Sequence, residues 1–140
     1  MYIKQLSIFV ENKPGRLQHV MQTLSEGGVN IRALSIADTT DFGVLRIIVD
    51  DTEKACEIVR KEGVVAKVTN VIAVYVDDRT GGLASVLGVI AEAGIDIKYM
   101  YVFLGRIEGK ALTILKVDDD AKAEQVLLAH GIEVAGIDEL

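Results

Sequence analysis

The stretch Glu11-Asn12-Lys13-Pro14-Gly15-Arg16-Leu17 joins an alternating apolar run, residues 6–10, to a run of apolar residues at helical spacing. Pro14 cannot donate a hydrogen bond to a strand ladder, so the strand is expected to end before it. Gly15 can adopt backbone conformations that other residues avoid. The stretch therefore predicts a strand that ends in a tight turn and leads directly into a helix.

The same arrangement returns 66 residues later, at Asp77-Asp78-Arg79-Thr80-Gly81-Gly82-Leu83. Each copy shows the order strand, helix, strand, strand, helix, strand when the apolar periods are followed along the chain. This order is typical of the split βαβ, or ferredoxin-like, arrangement. We therefore predict an α+β fold of two βαββαβ modules, residues 1–69 and 70–140, each with an antiparallel sheet and helices on one face.

The periods also predict the bounds of the strands. In the first copy we expect strands at 3–10, 30–37, 43–49 and 64–68, and in the second at 71–76, 97–104, 110–117 and 132–137. Only a residue or two separates the copies, and these residues do not have the composition of a flexible linker. The two modules are therefore expected to pack side by side as one rigid body.

Charge and cysteine content exclude several classes of function. The net charge is −6, and neither half is basic, since residues 1–70 carry 9 basic and 9 acidic groups and residues 71–140 carry 6 and 12. Binding to nucleic acid or to an anionic membrane surface is therefore not expected. With one cysteine, Cys56, no internal disulfide can form, and a cytoplasmic location is expected. The N-terminal residues enter a strand pattern directly, so no signal peptide is expected.

The middle strands are apolar on both faces. The runs 44–49, 99–104 and 111–115 lack the alternation of a sheet with one solvent-exposed face. Helices can cover only one face of such a sheet. The second face is therefore expected to be buried against another sheet or another chain, and a homodimer through this face is our main interpretation.

The two turns are the best candidates for a ligand site. A tight turn into a helix leaves several backbone N–H groups unpaired, and these groups bind carboxylate or phosphate. Asn12 and Asp78 add oxygen acceptors beside each turn, which together suit a zwitterionic amino acid. The alternative is an ordinary turn that merely requires glycine. Phosphate-binding glycine motifs are missing from the sequence, which disfavours nucleotides.

Other residues with reactive side chains have structural explanations. His19 and His130 share no local motif, and Cys56 lies on a predicted helix without a second cysteine nearby. The aspartate runs 50–51 and 118–120 directly precede predicted helices and lack calcium-loop spacing, so we interpret them as helix starts. No nucleophile, base and oxyanion hole can be assembled from these residues. We therefore expect a binding protein without catalytic activity, metal or cofactor.

The motifs resemble those of the ACT domain. The resemblance rests on the strand–helix order, on residues 12–17, and on Gly28-Val29-Asn30-Ile31 after the first helix. The second copy resembles the pattern again at residues 78–83 and 94–97, although Thr80 replaces the proline and Asp78 the asparagine. The resemblance covers essentially the whole chain as a tandem pair. It implies regulatory binding of small molecules, usually amino acids, and one eight-stranded sheet formed by the paired modules.

The resemblance also implies where the ligand lies. In such families the strand-to-helix turn of one module meets the start of the second strand of a neighbouring module. The corresponding residues here are Asn12, Pro14, Gly15, Arg16, Leu17, Asn30 and Ile31 in the first copy, and Asp78, Gly81, Gly82, Leu83, Asp96 and Ile97 in the second.

Three hypotheses for function remain open at this point. The first is a stand-alone regulatory protein that binds a free amino acid, with the ligand at the first turn because Pro14-Gly15 fits the pattern better than Thr80-Gly81. The second is a ligand-free interaction module that serves as regulatory subunit of a separate metabolic enzyme. The third is a small ferredoxin-like phosphatase or mutase that uses His19 or Cys56.

Overall fold

The computed structural model describes residues 2–38, 41–103 and 107–140. Its described part contains four α-helices, seven strands and a short 3₁₀ helix at Ile137–Glu139. The strands are β1 (Ile3–Glu11), β2 (Ile31–Asp38), β3 (Phe42–Val49), β4 (Ala66–Asp77), β5 (Ile97–Phe103), β6 (Lys110–Val117) and β7 (Val134–Ala135). The helices are α1 (Arg16–Glu26), α2 (Thr52–Lys61), α3 (Gly82–Glu92) and α4 (Asp120–Ala129).

The chain forms two compact units, and the same plan is repeated in each. One unit is Lys4–Thr69, and the other is Asn70–Leu140 together with the first residues of the chain. The strand order is β2-β3-β1-β4 in the first unit and β5-β6-β4-β7 in the second. The α+β class and the ferredoxin-like modules predicted from the sequence are confirmed. The joined eight-stranded sheet is not confirmed and stays a prediction.

The core of the first unit lies between one sheet face and its two helices. Alternate residues of β1 face the helices, and they pack with apolar residues spaced three and four apart on α1 and α2. The buried members of this cluster are Leu6, Ile8, Val10, Val20, Leu24, Val29, Leu45, Ile47, Val49, Ala55, Cys56, Val59 and Ala66.

The second unit builds an equivalent core from equivalent positions. Alternate residues of β4 face α3 and α4, just as those of β1 face α1 and α2. The buried members are Ile72, Val74, Val76, Val86, Ile90, Ile95, Leu115, Val117, Ala123 and Leu127. Val20 and Val86, and Leu24 and Ile90, are each 66 residues apart, so the sequence repeat is also a repeat of packing.

The fourth and fifth predicted strands are one strand, which corrects our sequence-based bounds. The predicted runs 64–68 and 71–76 are replaced by the continuous β4, Ala66–Asp77. The connecting residues, Thr69 and Asn70, contain no proline or glycine, so nothing in the backbone forces the strand to end there. The described residues therefore contain seven strands where the sequence pattern predicted eight.

The predicted last strand, 132–137, was also too long. Only Val134–Ala135 pairs with β4, and the chain then turns into the 3₁₀ helix. The carboxylate of Glu139 accepts a hydrogen bond of 2.6 Å from the backbone N–H of Gly136, which stabilises this turn. Of the predicted strand 97–104, the last residue, Leu104, lies outside the described residues.

The strand β4 is buried on both faces over part of its length. All six residues from Val71 to Val76 are buried, including Val71 and Ala73, which point away from the helices. The sequence pattern predicts burial of both faces for the runs 44–49, 99–104 and 111–115 and not for this strand. No helix in the described residues is long and apolar enough to cross a membrane.

Candidate functional site

The first turn is held by backbone hydrogen bonds and by one left-handed glycine. Gly15 has a φ of 84°, a conformation that favours glycine. The N–H of Lys13 donates to the carbonyl of Glu11 at 2.8 Å, and the N–H of Arg16 donates to the carbonyl of Lys13 at 3.2 Å. The N–H of His19 then donates to the carbonyl of Gly15 at 3.0 Å and closes the first helical turn. The strand-to-helix turn predicted from the sequence is therefore present.

The second turn has the same backbone geometry without the proline. Gly81 has a φ of 82°. The N–H of Arg79 donates to the carbonyl of Asp77 at 2.9 Å, and the N–H of Gly82 donates to the carbonyl of Arg79 at 3.0 Å. The N–H of Ser85 donates to the carbonyl of Gly81 at 3.0 Å. Replacement of proline by threonine thus leaves the turn intact, and the two copies differ in side chains.

The helices that follow the turns lack side-chain caps, whereas the other two helices have them. Asp51 caps α2 by accepting from the N–H of Lys54 at 3.1 Å, and Asp119 caps α4 by accepting from the N–H of Lys122 at 3.0 Å. At the starts of α1 and α3, a glycine occupies the cap position, and no side chain bonds there. The N–H of the first residue of each helix, Arg16 or Gly82, bonds within the turn, and no side chain caps the N–H groups that follow it.

The aspartates before the caps have a different role from the one predicted. Asp50 accepts at Oδ1 from the N–H of Asn30 at 3.1 Å, and Asp118 accepts at Oδ1 from the N–H of Asp96 at 3.2 Å. These carboxylates therefore hold the starts of β2 and β5. The helix-start interpretation of the runs holds for Asp51 and Asp119, which cap the helices, and for Asp120, which lies in the first turn of α4. The carboxylate of Asp96 also pairs with Lys98 at 2.9 Å, which raises the pKa of that lysine.

Within one unit, the predicted site residues fall into two separate groups. The turn residues 12–17 lie at the N-terminal end of α1, and residues 30–31 follow its C-terminal end. Because α1 has eleven residues, its length is about 16 Å. The same separation holds for residues 78–83 and 96–97 at the two ends of α3. A ligand that touches both groups would therefore need the strand start of a second module.

Two clefts next to the turns include residues that sequence reasoning missed. The first cleft, of about 340 Å³, is bounded by the end of β1, the first turns of α1, and the segment 62–65 between α2 and β4. The second cleft, of about 290 Å³, is bounded by the end of β4, α3, and the segment 130–133. Phe42, Val64 and Val65 line the first cleft although they are far from the first turn in sequence, so no local pattern pointed to them.

The other reactive side chains occupy ordinary structural positions. His19 Nε2 lies 3.6 Å from a carboxylate oxygen of Glu62, and both side chains are about half exposed. His130 Nδ1 lies 2.9 Å from the carbonyl of Val126, at the end of α4. Cys56 is free and buried in the first core. In the described part of the chain, no three His, Cys, Asp or Glu side chains are grouped so as to hold a metal ion.

Known proteins share this fold over nearly the whole chain. A family model described as an ACT domain pair matches residues 1–139. The crystal structure of protein BT0572 from Bacteroides thetaiotaomicron is 34% identical with a TM-score of 0.92, and the match covers 99% of this chain and 95% of that chain. Among curated proteins, no match was found.

More distant structures share the fold alone. The regulatory subunit of aspartate kinase from Thermus thermophilus, in its ligand-free form, has 19% identity and a TM-score of 0.69, covering 91% of this chain and 90% of that chain. The corresponding subunit from Thermus flavus has 14% identity and a TM-score of 0.63, covering 91% and 92%. The family model spans nearly the whole sequence. The chain therefore belongs to the family of ACT domain pairs, which are regulatory modules.

Proposed function

We propose that the protein is a non-catalytic regulator that binds a free amino acid, with the ligand carboxylate at the start of α1. The observation that carries the proposal is the contrast in helix caps. Asp51 and Asp119 each accept from one N–H in the first turn of α2 and α4, whereas α1 and α3 begin at a left-handed glycine without a side-chain cap. An anion is favoured at such a helix start by the unpaired amides and by the helix dipole.

The remaining ligand contacts follow from the same turn. The ammonium group of the amino acid would be held by oxygen acceptors, for which Asn12 and the Asn30 of a neighbouring module are the candidates. Because residues 12–17 and 30–31 lie at opposite ends of α1, the second group would come from another module. This supports a site that is completed by module pairing, either within the chain or in a homodimer. The unpaired, buried Cys56 supports a reducing, cytoplasmic location.

Isothermal titration of the full chain with each of the twenty amino acids tests the proposal. We expect binding of at least one amino acid at millimolar concentration or below. The variant Gly15→Ala should weaken that binding, because a side chain strains the left-handed turn that presents the amides. Its matched control is Gly81→Ala, since both glycines have nearly the same φ and neither added Cβ would meet an atom within 4 Å.

The outcomes separate the two turns. A larger loss of affinity in Gly15→Ala than in Gly81→Ala assigns the ligand to the first turn, and the reverse result assigns it to the second. Absence of heat with all twenty amino acids, in protein whose folding is verified by circular dichroism, would contradict the proposal.

A second candidate function is that of a ligand-free regulatory subunit of a separate enzyme. The observation that favours it is exposed apolar surface on β2, the end strand of the first unit, where Leu34 is 52% and Ile36 is 48% exposed. The aspartate kinase subunits with a similar fold are themselves regulatory subunits. Co-purification of an enzyme in fixed stoichiometry, lost in Leu34→Ser and insensitive to amino acids, would favour this function over the first.

A further inference from the structure

One residue in the lining of the second cleft is held by a hydrogen bond from outside the cleft. Tyr75 of β4 lies in the lining, and its hydroxyl donates to the carboxylate of Glu139 at 3.3 Å. Val74 and Val76 pack against the helices, so Tyr75 lies on the opposite face of the sheet. Glu139 therefore meets Tyr75 on the sheet face that does not carry the helices of this unit.

Glu139 belongs to a short segment, residues 136–140, which we call the strap. The strap follows β7 directly and contains the 3₁₀ helix. Its turn is closed by the N–H of Glu139, which donates to the carbonyl of Gly136 at 3.1 Å. The N–H of Gly136 in turn donates at 2.6 Å to the second carboxylate oxygen of Glu139. One carboxylate therefore closes the strap on itself and also ties it to Tyr75.

Most of the strap is exposed to solvent. Ile137 is 43% exposed, and Asp138 and Glu139 are exposed as well, whereas Leu140 is buried. Segments with few buried apolar side chains open locally at a lower free energy than the packed elements of a core. We therefore expect the strap to open while α3 and α4 stay folded.

The equivalent place in the first unit has different chemistry. Phe9 stands 66 residues before Tyr75. The N–H of Phe9 donates to the carbonyl of Val65 at 3.0 Å, and the N–H of Tyr75 donates to the carbonyl of Glu133 at 3.0 Å. After Val65 the chain continues as β4, whereas in the second unit it leaves β7 after two residues and forms the strap. Phe9 is 42% exposed and Tyr75 is 7% exposed. A phenylalanine has no hydroxyl to donate, so Phe9 cannot make the bond that Tyr75 makes with the strap.

The chemistry of this bond favours a carboxylate as the acceptor. Burial first, and then the charge of Glu139, raise the pKa of Tyr75, so its hydroxyl stays protonated at neutral pH and donates. A hydrogen bond to a charged acceptor is stronger than one between neutral groups. Loss of the Glu139 side chain would remove the acceptor of Tyr75 and that of the Gly136 N–H together.

We propose that the strap is a lid of the second cleft and that the hydrogen bond between Tyr75 and Glu139 is its latch. In the closed state, which the structure shows, the latch fixes the Tyr75 ring in the lining of the cleft of about 290 Å³. When the strap opens, the ring is free to leave the lining, and the cleft opens toward the sheet face of Tyr75. This inference does not depend on the proposed function, which concerns the start of α1.

Hydrogen exchange of the full chain, followed by nuclear magnetic resonance, measures the opening of the strap. The reporters are the N–H groups of residues 139 and 140, which both donate within the strap. Their protection factors should be at least about 10-fold lower than those in the middle of α4. Glu139→Ala should lower them by about a further 5- to 10-fold, because it removes both bonds of the carboxylate. The matched control is Asp138→Ala, which removes an exposed carboxylate of the same strap and should leave them unchanged.

Nitration of the full chain with tetranitromethane reports on the Tyr75 ring, and mass spectrometry of the peptides identifies each modified tyrosine. Tyr75 should react several-fold faster in Glu139→Ala than in the native protein or in Asp138→Ala, because the unlatched ring becomes accessible. Tyr2, which is 43% exposed, is the internal reference, and its rate of nitration should be the same in all three proteins.

A second variant covers the case in which Glu139→Ala fails to fold. Tyr75→Phe keeps the ring and removes the hydroxyl, so it should lower the protection of the strap N–H groups about 3- to 5-fold. Strap N–H groups that are protected as strongly as those of α4, or that are unchanged by the loss of the latch, would overturn the inference. Faster exchange in Glu139→Ala without faster nitration of Tyr75 would also overturn it, because the strap would then open without releasing the ring.

Discussion

Gly82 offers a quantitative test of how tightly the second turn is packed. It is the first residue of α3, it is buried, and an added Cβ would lie 2.1 Å from the carbonyl oxygen of Asp77. Ordinary contacts of this kind are well over 3 Å, so Gly82→Ala must shift either the helix start or the end of β4. Such overpacking costs about 1 to 3 kcal/mol or more. The higher helix propensity of alanine than of glycine offsets about 0.5 to 1 kcal/mol of this cost.

The same helix contains a matched control. Gly88 lies in the interior of α3, is exposed, and has open space where a Cβ would be added. Gly88→Ala should therefore stabilise the protein by about 0.5 to 1 kcal/mol. We expect Gly82→Ala to destabilise it by about 1 to 2 kcal/mol, so the two alanine variants should differ by about 2 kcal/mol or more.

Urea unfolding, monitored by far-ultraviolet circular dichroism, measures the free energy of unfolding of each alanine variant. Hydrogen exchange of the α3 amides shows whether the effect is local to the second unit. If Gly82→Ala is as stable as Gly88→Ala, Gly82 does not lie as close to the carbonyl of Asp77 as the structure places it.

Three further predictions concern stability and access. Asp51→Ala and Asp119→Ala should each destabilise the protein by about 1 kcal/mol, because each removes a helix cap, and urea unfolding of the two variants measures this. Burial and the nearby Glu139 raise the pKa of Tyr75 above its usual value of about 10, so the unfolded state loses this proton first as the pH rises. Stability should therefore fall above about pH 10, and Tyr75→Phe should reduce that fall in thermal melts across this range. The buried Cys56 should react with a chromogenic thiol reagent slowly in native protein and rapidly in denaturant, and rapid native reaction would contradict its placement in the core.

Most of the fold could be predicted from local signals. Alternation placed Leu6, Ile8 and Val10 on one face, and the helical period placed Val20 and Leu24 against them; the structure buries all five. The bounds of β4 and β7 could not be predicted, because the apolar pattern does not show whether a strand pairs over its full length. Pairing depends on neighbouring strands that are distant in sequence.

For the candidate site, too, local features could be predicted from the sequence, whereas contacts between distant residues could not. The sequence by itself determined the duplicated strand-to-helix turn, because glycine, proline and the apolar periods act through the local backbone. Only the tertiary structure decided which ion pairs form beside each turn: Lys13 pairs with Glu11, whereas Arg79 and Lys110 share Asp77. Ion pairing and cleft shape depend on distances between elements that are far apart in the chain. Two turns with the same backbone therefore differ in the ion pairs beside them.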